Sequence, residues 1–312
     1  MSNETNKPSV IVICGPTGIG KTSSSIRLAK IFGGEIISAD SMQIYRHMNI
    51  GTAKPAKEEQ ALITHHMIDI VDPDEPFDAA RFGEMAEYRI TELHNKKIIP
   101  FLVGGTGLYI KALLHGLSRA RPANPQILER LEKEAENVGP EVLHKRLLAC
   151  DPIAAEKIHP NDVFRLVRAL EIFEETGKPI SEYHNEHMFK KTPYKTLKIC
   201  LDMERDKLYN RIDLRVDLML KTGLIEEVQG LLDAGYTTDL KPMQSIGYRH
   251  IVDYLSGNTP LNETVETLKR DTRRYAKRQM TWFRADNDIK WINRDNFDEM
   301  QELISKFFHK HL

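Results

Sequence analysis

The residues best equipped for chemistry are Gly15, Pro16, Thr17, Gly18, Ile19, Gly20, Lys21 and Thr22, which satisfy the pattern G-x-x-x-x-G-K-[ST] throughout. Such a loop lets successive backbone N–H groups converge on an anion, while the Lys21 ammonium adds a mobile positive charge and the Thr22 hydroxyl suits Mg2+. The pattern needs two adjacent phosphates and does not say which compound carries them. A nucleotide hydrolase built this way also carries an apolar strand ending in Asp for its metal. Here the apolar run 98–103 ends in Gly104-Gly105 instead. The one well-placed strand-end carboxylate is Asp40, after Ile36-Ile37-Ser38-Ala39. Metal support and general base are both open to it, against the blander reading of a turn aspartate. Thr106, in Gly104-Gly105-Thr106-Gly107, can bring a hydroxyl to the same rim, although a tight turn explains the glycines equally well.

A second constellation is electrostatic. Arg270, Arg273, Arg274, Lys277 and Arg278 fall at i, i+3, i+4, i+7 and i+8, so a helix gathers them into one basic stripe. From 269 to 284 there are seven Lys or Arg and one acid, Asp271, whereas the whole chain carries 44 Lys plus Arg against 45 Asp plus Glu. A polyanion partner must therefore be held by local patches, and the interleaved Tyr275, Trp282 and Phe283 favour a nucleic-acid groove over a solvated face. Lys157, His159, Arg165 and Arg168 form a weaker second set. His65 and His66 lack a third ligand at metal spacing and are read as structural.

The elements that must position these groups follow from pattern. A strand over 9–14, the glycine turn, a helix over 22–32, a strand over 35–38, a helix over 81–96 and a strand over 98–103 give a βαβ rhythm. This predicts a parallel sheet with ligands at the strand C-terminal ends. Residues 67–70 also read as strand-like. Near Gly116 the text turns helical, with helices over 128–138, 140–149 and 162–176 and a stop at Gly177-Lys178-Pro179. A strand within 194–203 returns to the sheet, followed by helices over 207–222, 225–234 and 261–284, a strand over 289–292 and a helix over 297–309. The predicted fold class is α/β: a phosphate-loop parallel sheet flanked by helices, formed by 1–118 and 195–312, with an all-helical insertion over 119–194. At 312 residues, 41% hydrophobic and 29% charged, the chain is globular rather than disordered. Its apolar runs are strand-sized, below the roughly 20 residues of a membrane helix. The polar start and the odd, sequence-distant Cys14, Cys150 and Cys200 predict a cytoplasmic protein with reduced, buried thiols.

In this order the pieces resemble the tRNA dimethylallyltransferase family. The stretches that carry the resemblance are GPTGIGKT from 15, ISADSMQIYRHMNIGTAKP from 37, HHMIDIVDP from 65, LVGGTGLYIKALLHGL from 102, IHPNDVFRLVRALEIFEETGK from 158, SIGYRH from 245 and AKRQMTWFR from 276. The resemblance implies prenyl transfer from dimethylallyl diphosphate to N6 of adenosine 37, in the anticodon stem-loop of tRNA. It implies that residues 15–22 cradle the diphosphate with Mg2+ at Thr22, and that Asp40 is the general base. Ser41, Met42 and Gln43 would surround the target base, with Thr106 and Lys21 at the reaction centre. Phe164, Arg165, Leu166, Val167 and Arg168 would touch tRNA from the insertion. Gln244, Ser245, Ile246, Gly247, Tyr248 and Arg249 would do so too, as would Lys277, Arg278, Gln279, Met280, Thr281, Trp282, Phe283 and Arg284. The linker 119–125 departs from the family's pattern. A monomer that needs no membrane is expected. The competing readings are a phosphate-loop kinase or nucleotide hydrolase, which the missing strand-end Asp disfavours, a prenyltransferase of free AMP, which has little use for the stripe, and a non-catalytic RNA-binding module.

Overall fold

The computed structural model describes residues 7–116, 124–187 and 193–309. The expected linker departures at 119–123 and both expected domain boundaries' flanks lie wholly or partly outside these residues. In chain order the first half runs β1 (Ser9–Cys14), α1 (Lys21–Phe32), β2 (Gly34–Ser38), α2 (Lys57–Leu62), β3 (His65–His66), α3 (Ala79–Asn95), β4 (Ile99–Gly104) and α4 (Gly107–His115). Then come α5 (Pro125–Val138), α6 (Pro140–Cys150), α7 (Pro152–Lys157), α8 (Val163–Thr176) and α9 (Ile180–His187). The chain closes with β5 (Lys195–Asp202), α10 (Arg205–Lys221), α11 (Leu224–Asp233), α12 (Tyr248–Leu255), α13 (Leu261–Arg284), β6 (Lys290–Asn293) and α14 (Phe297–His309).

The six strands form one parallel sheet in the order β3-β2-β4-β1-β5-β6. Val10, Ile11, Val12 and Ile13 of β1 are 1% exposed or less, which explains their unbroken apolar run: a central parallel strand is covered on both faces. Ile11, Ile13, Phe101, Ile199 and Leu201 of the sheet pack with Ile26 and Leu28 of α1, Ile212 of α10 and Ile304 of α14. Cys14 faces Cys200 across the β1–β5 ladder, so two thiols distant in sequence are neighbours in the core, and both are free. Cys150 is half-buried rather than buried.

The described residues divide into two compact units, one within 1–114 and 192–312 and the other within 115–191. The second is wholly helical. Leu131, Leu143, Leu147, Leu166, Val167 and Leu170 make its core, the Asp162 carboxylate caps α8 at Arg165 N–H, and Gly177 ends α8 in the left-handed region as its position predicts.

A strand expectation also fails. Residues 67–70 are not a strand: Met67 and Asp69 have φ of 65° and 53°, and the edge strand is the preceding pair His65–His66. The alternating apolar residues 68 and 70 arise from a loop whose Asp69 and Ile70 N–H groups bond to the Gln43 and Ile44 carbonyls, and whose Asp69 carboxylate clasps Lys54.

Candidate active site

β1 stops at Cys14 because Gly15 turns the chain away from the sheet, and α1 begins at Lys21 behind Gly20, whose φ of 101° suits glycine alone. Ile19 is sunk in the core, so the loop is anchored by a side chain and presents backbone to its ligand side. The Lys21 ammonium bends back to the carbonyls of Gly15 (3.0 Å) and Pro16 (2.9 Å). Burial pulls it from 10.5 to about 8, with Asp40 opposing that shift and Arg215 reinforcing it.

Asp40 stands two residues beyond the end of β2, where Ala39 N–H still bonds to Val103 O at 2.7 Å. Its Oδ1 accepts the N–H groups of Met42 (2.9 Å) and Gln43 (3.3 Å), an Asx turn that fixes the carboxylate. Among the described residues Oδ2 has no hydrogen-bond partner. Lys21, Thr22, Ser38, Asp40, His65 and Gly104 line one cavity of about 40 Å³, room for a water molecule or two. Lys21 and Asp40 therefore line the same space at the C-terminal rim of the sheet.

Thr106 sits beside them. Its N–H bonds to Ala39 O (3.2 Å), its Oγ1 accepts Ser41 N–H (3.1 Å), and the Tyr275 hydroxyl from α13 reaches it. Burial, helped by the Asp40 charge, pushes Tyr275 up to about 12, so it remains a neutral phenol. The close approach of Thr106 depends on Gly104, where a Cβ would stand 2.0 Å from Ala39 O.

Two functional groups are invisible to motif reading. Arg215 of α10 is near enough for its charge to act on both Asp40 and Lys21, and Arg211, one turn earlier, donates from Nε to Gly18 O at 2.9 Å. The one available signal is the i, i+4 arginine pair flanking the core positions Ile212 and Val216. Tyr275 is the other, hidden because its spacing groups it with the stacking aromatics.

The expected RNA contacts divide sharply. Arg274, Lys277, Arg278, Thr281, Trp282 and Arg284 are exposed on α13. The stripe is not continuous, however: Arg273 is held bidentately by Asp213 (2.6 and 2.7 Å) and Lys269 by Asp217 (2.6 Å), both on α10. Gln279 and Phe283 are buried, and Met280 is half-buried, so the direct contact expected of the first two does not hold. In 244–249, Tyr248 and Gly247 are buried, Ser245 bonds to Pro242 O and Arg249 to Asp271, and Ile246 is half-buried, while Gln244 stays exposed with a bond to Thr238 O; most of the segment is engaged within the protein. Gln43 is likewise spent, accepting from Ser38 and donating to the Thr52 and Ala53 carbonyls; Met42 and Ser41 are half-buried beside Asp40. In the helical unit Phe164 is 80% exposed and Arg165 exposed, and Arg168 pairs with Glu171. Leu166 and Val167 are core residues there, so their expected contact with RNA is corrected to a packing role. His66 bonds to Glu35 (2.6 Å) and His65 to Ile63 O (2.9 Å), and no group of three metal-ligating side chains occurs among the described residues.

A family model described as "IPP transferase" matches residues 43–286, and one described as "Isopentenyl transferase" matches 8–70. The tRNA dimethylallyltransferase of Desulfosudis oleivorans is 54% identical over 302 residues, covering 96% of each chain. That of Geobacter sulfurreducens is 50% identical over 97% of this chain and 98% of its own. Among solved structures, the full-length tRNA isopentenylpyrophosphate transferase of Bacillus halodurans aligns with a TM-score of 0.74 at 43% identity over 98% of both chains. A eukaryotic dimethylallyltransferase acting on tRNA aligns with a TM-score of 0.80 at 33% identity, over 97% of this chain and 79% of that one.

Proposed function

The chain belongs to the tRNA dimethylallyltransferase family, and from that premise we propose that it joins the dimethylallyl group of dimethylallyl diphosphate to N6 of adenosine 37 in the tRNA anticodon loop. It is a prenyltransferase acting on tRNA. The finer reading is carried by one observation: Asp40, which keeps one carboxylate oxygen unpartnered among the described residues, lines the same cavity as Lys21.

An adenine amino group is a poor nucleophile because its lone pair is delocalised into the ring. Its attack on the allylic carbon needs a stabilised leaving group and an acceptor for the amine proton. The N6–C bond forms as the C–O bond to diphosphate breaks, and the N6 proton passes to Asp40 Oδ2. Charge accumulating on the departing diphosphate is met by the loop amides, Lys21 and Arg215, fixed donors of the kind that contribute most to such catalysis. Thr106, held by Ser41 N–H, supplies an oriented hydroxyl beside the carboxylate. A base stacked in a loop has to leave the stack to reach this rim.

The donor set fits Mg2+, which takes one or two protein oxygens and fills the remaining positions with phosphate oxygens and water. Thr22 on the cavity wall would hold it, and its charge would be supplied to the diphosphate. Exposed Arg274, Lys277, Arg278 and Arg284, with Trp282, suit the RNA backbone and a base face. We place the protein in the cytoplasm as a monomer; no described helix is long and apolar enough to cross a membrane.

The test is mass analysis of nucleosides from tRNA incubated with the protein, Mg2+ and dimethylallyl diphosphate. Adenosine carrying one five-carbon unit at position 37 is expected. A five-carbon gain elsewhere would contradict the positional assignment, and no gain would contradict the donor.

A further inference from the structure

Cys14↔Gly104 is the last rung of the β1–β4 ladder. Beyond it the two chains part, one into the phosphate loop and the other into the turn that carries Thr106. The gap is bridged by a single side chain from α13. Gln279 Oε1 accepts the Thr17 N–H at 2.8 Å, and its Nε2 donates to Gly105 O at 2.9 Å. The carboxamide thus stands where a further peptide rung would, offering the acceptor to one chain and the donor to the other. Gln279 is 7% exposed, and a Cβ on Gly105 would lie 2.3 Å from Nε2, so the neighbouring backbone is shaped around this contact. A carboxamide both donates and accepts at fixed separation without carrying charge.

The two loops it joins hold different parts of the reaction centre: the diphosphate cradle on one side, the Thr106 hydroxyl and its Ser41 partner beside Asp40 on the other. We propose that Gln279 is a positioning residue for prenyl transfer, setting the separation between the diphosphate cradle and the Thr106–Asp40 cluster through its bonds to Thr17 and Gly105, and that it makes no contact with RNA. The inference rests on the prenyl-diphosphate reading of the loop. It also separates Gln279 from its exposed neighbours Lys277 and Arg278 on the same helix.

Losing the carboxamide leaves a part-buried N–H and a buried C=O unpaired at once, and the loop relaxes away from the turn to hydrate them. The test compares wild type, Q279L, Q279E and a control, L268A, which opens the α13 core at a residue 2% exposed and about three helical turns from Gln279. Binding of inorganic diphosphate, binding of an anticodon stem-loop RNA, and kcat and KM for dimethylallyl diphosphate are measured on each. For Q279L, diphosphate affinity falls and KM rises by about tenfold, kcat drops, and RNA affinity stays within about twofold. Q279E keeps the acceptor for Thr17 but sets a second oxygen against Gly105 O, so it behaves as Q279L at neutral pH and recovers as the pH is lowered and the carboxyl gains its proton. Loss of RNA affinity with unchanged diphosphate binding overturns the proposal, as does an equal diphosphate defect in L268A. Wild-type protein that fails to bind diphosphate would refute the loop reading itself, whereas wild-type binding matched by Q279L refutes only the role of Gln279.

Discussion

At the scale of single residues, Lys21 is the group whose chemistry is most altered by its surroundings. Burial lowers it to about 8, so in the free protein it is largely neutral at pH 9, when an exposed lysine would still be charged. A bound diphosphate favours the ammonium and raises that value again. Binding should therefore take up a proton above about pH 8, and diphosphate affinity should weaken as the pH rises through that value. Calorimetry of diphosphate binding in two buffers of different ionisation enthalpy reads the uptake directly; pH-independent affinity between 7 and 9.5 would contradict it. Lys21 and Asp40 were legible in the sequence because a strand, a turn and a helix start are local events. Arg215 and Tyr275 were not, since α10 and α13 reach the rim only through tertiary packing, and no local pattern marks a guanidinium that will face a carboxylate encoded far earlier in the chain.

At the scale of elements, the run 49–51 shows how an irregular segment is held by a helix distant in sequence. Glu227 of α11 accepts the N–H groups of Asn49 (2.8 Å), Ile50 (2.7 Å) and Gly51 (3.0 Å) and the Tyr248 hydroxyl (2.6 Å). Gly51 is required because a Cβ there would meet the Tyr248 ring at 2.6 Å. Glu227→Ala strips four donors of their acceptor and should cost about 1–3 kcal/mol, seen as a lower urea midpoint with an unchanged slope. An unaltered midpoint would mean that water replaces the carboxylate without loss. The parallel sheet and most helices followed from hydrophobic period, with α13 and α14 matching their predicted limits, whereas the strand order β3-β2-β4-β1-β5-β6 did not. The misreading of 67–70 has the same origin as the inward-turned 244–249: both are irregular backbone tied by hydrogen bonds to sequence-distant partners, and periodicity carries no trace of such partners.

For the whole molecule, charge is the informative quantity. The chain is nearly neutral, so any grip on RNA is concentrated where cations lack internal partners. The sequence alone presents five stripe residues as equivalent. Folding spends Arg273 on Asp213 and leaves Lys277, Arg278 and Arg284 exposed, together with Arg274, which is exposed but has a loose 3.6 Å pair to Asp271. Replacing Arg274, Lys277 and Arg278 by Ala should weaken tRNA binding and reduce the slope of log affinity against log salt by about 2 to 3. Replacing Arg273 alone should act chiefly on stability through the α10–α13 contact. A salt slope unmoved by the triple replacement would remove α13 from the RNA interface.

The central claim is that the carboxylate of residue 40 takes the amine proton at a site shared with the Lys21-bound diphosphate. Asp40→Asn preserves the oxygen that accepts from Met42 and Gln43 and deletes only the base. Single-turnover prenyl transfer with both substrates saturating measures the chemical step. A rate lower by about 10²–10⁴-fold, with tRNA and diphosphate affinities retained, is the predicted result; a D40N protein that turns over at the wild-type rate would contradict it.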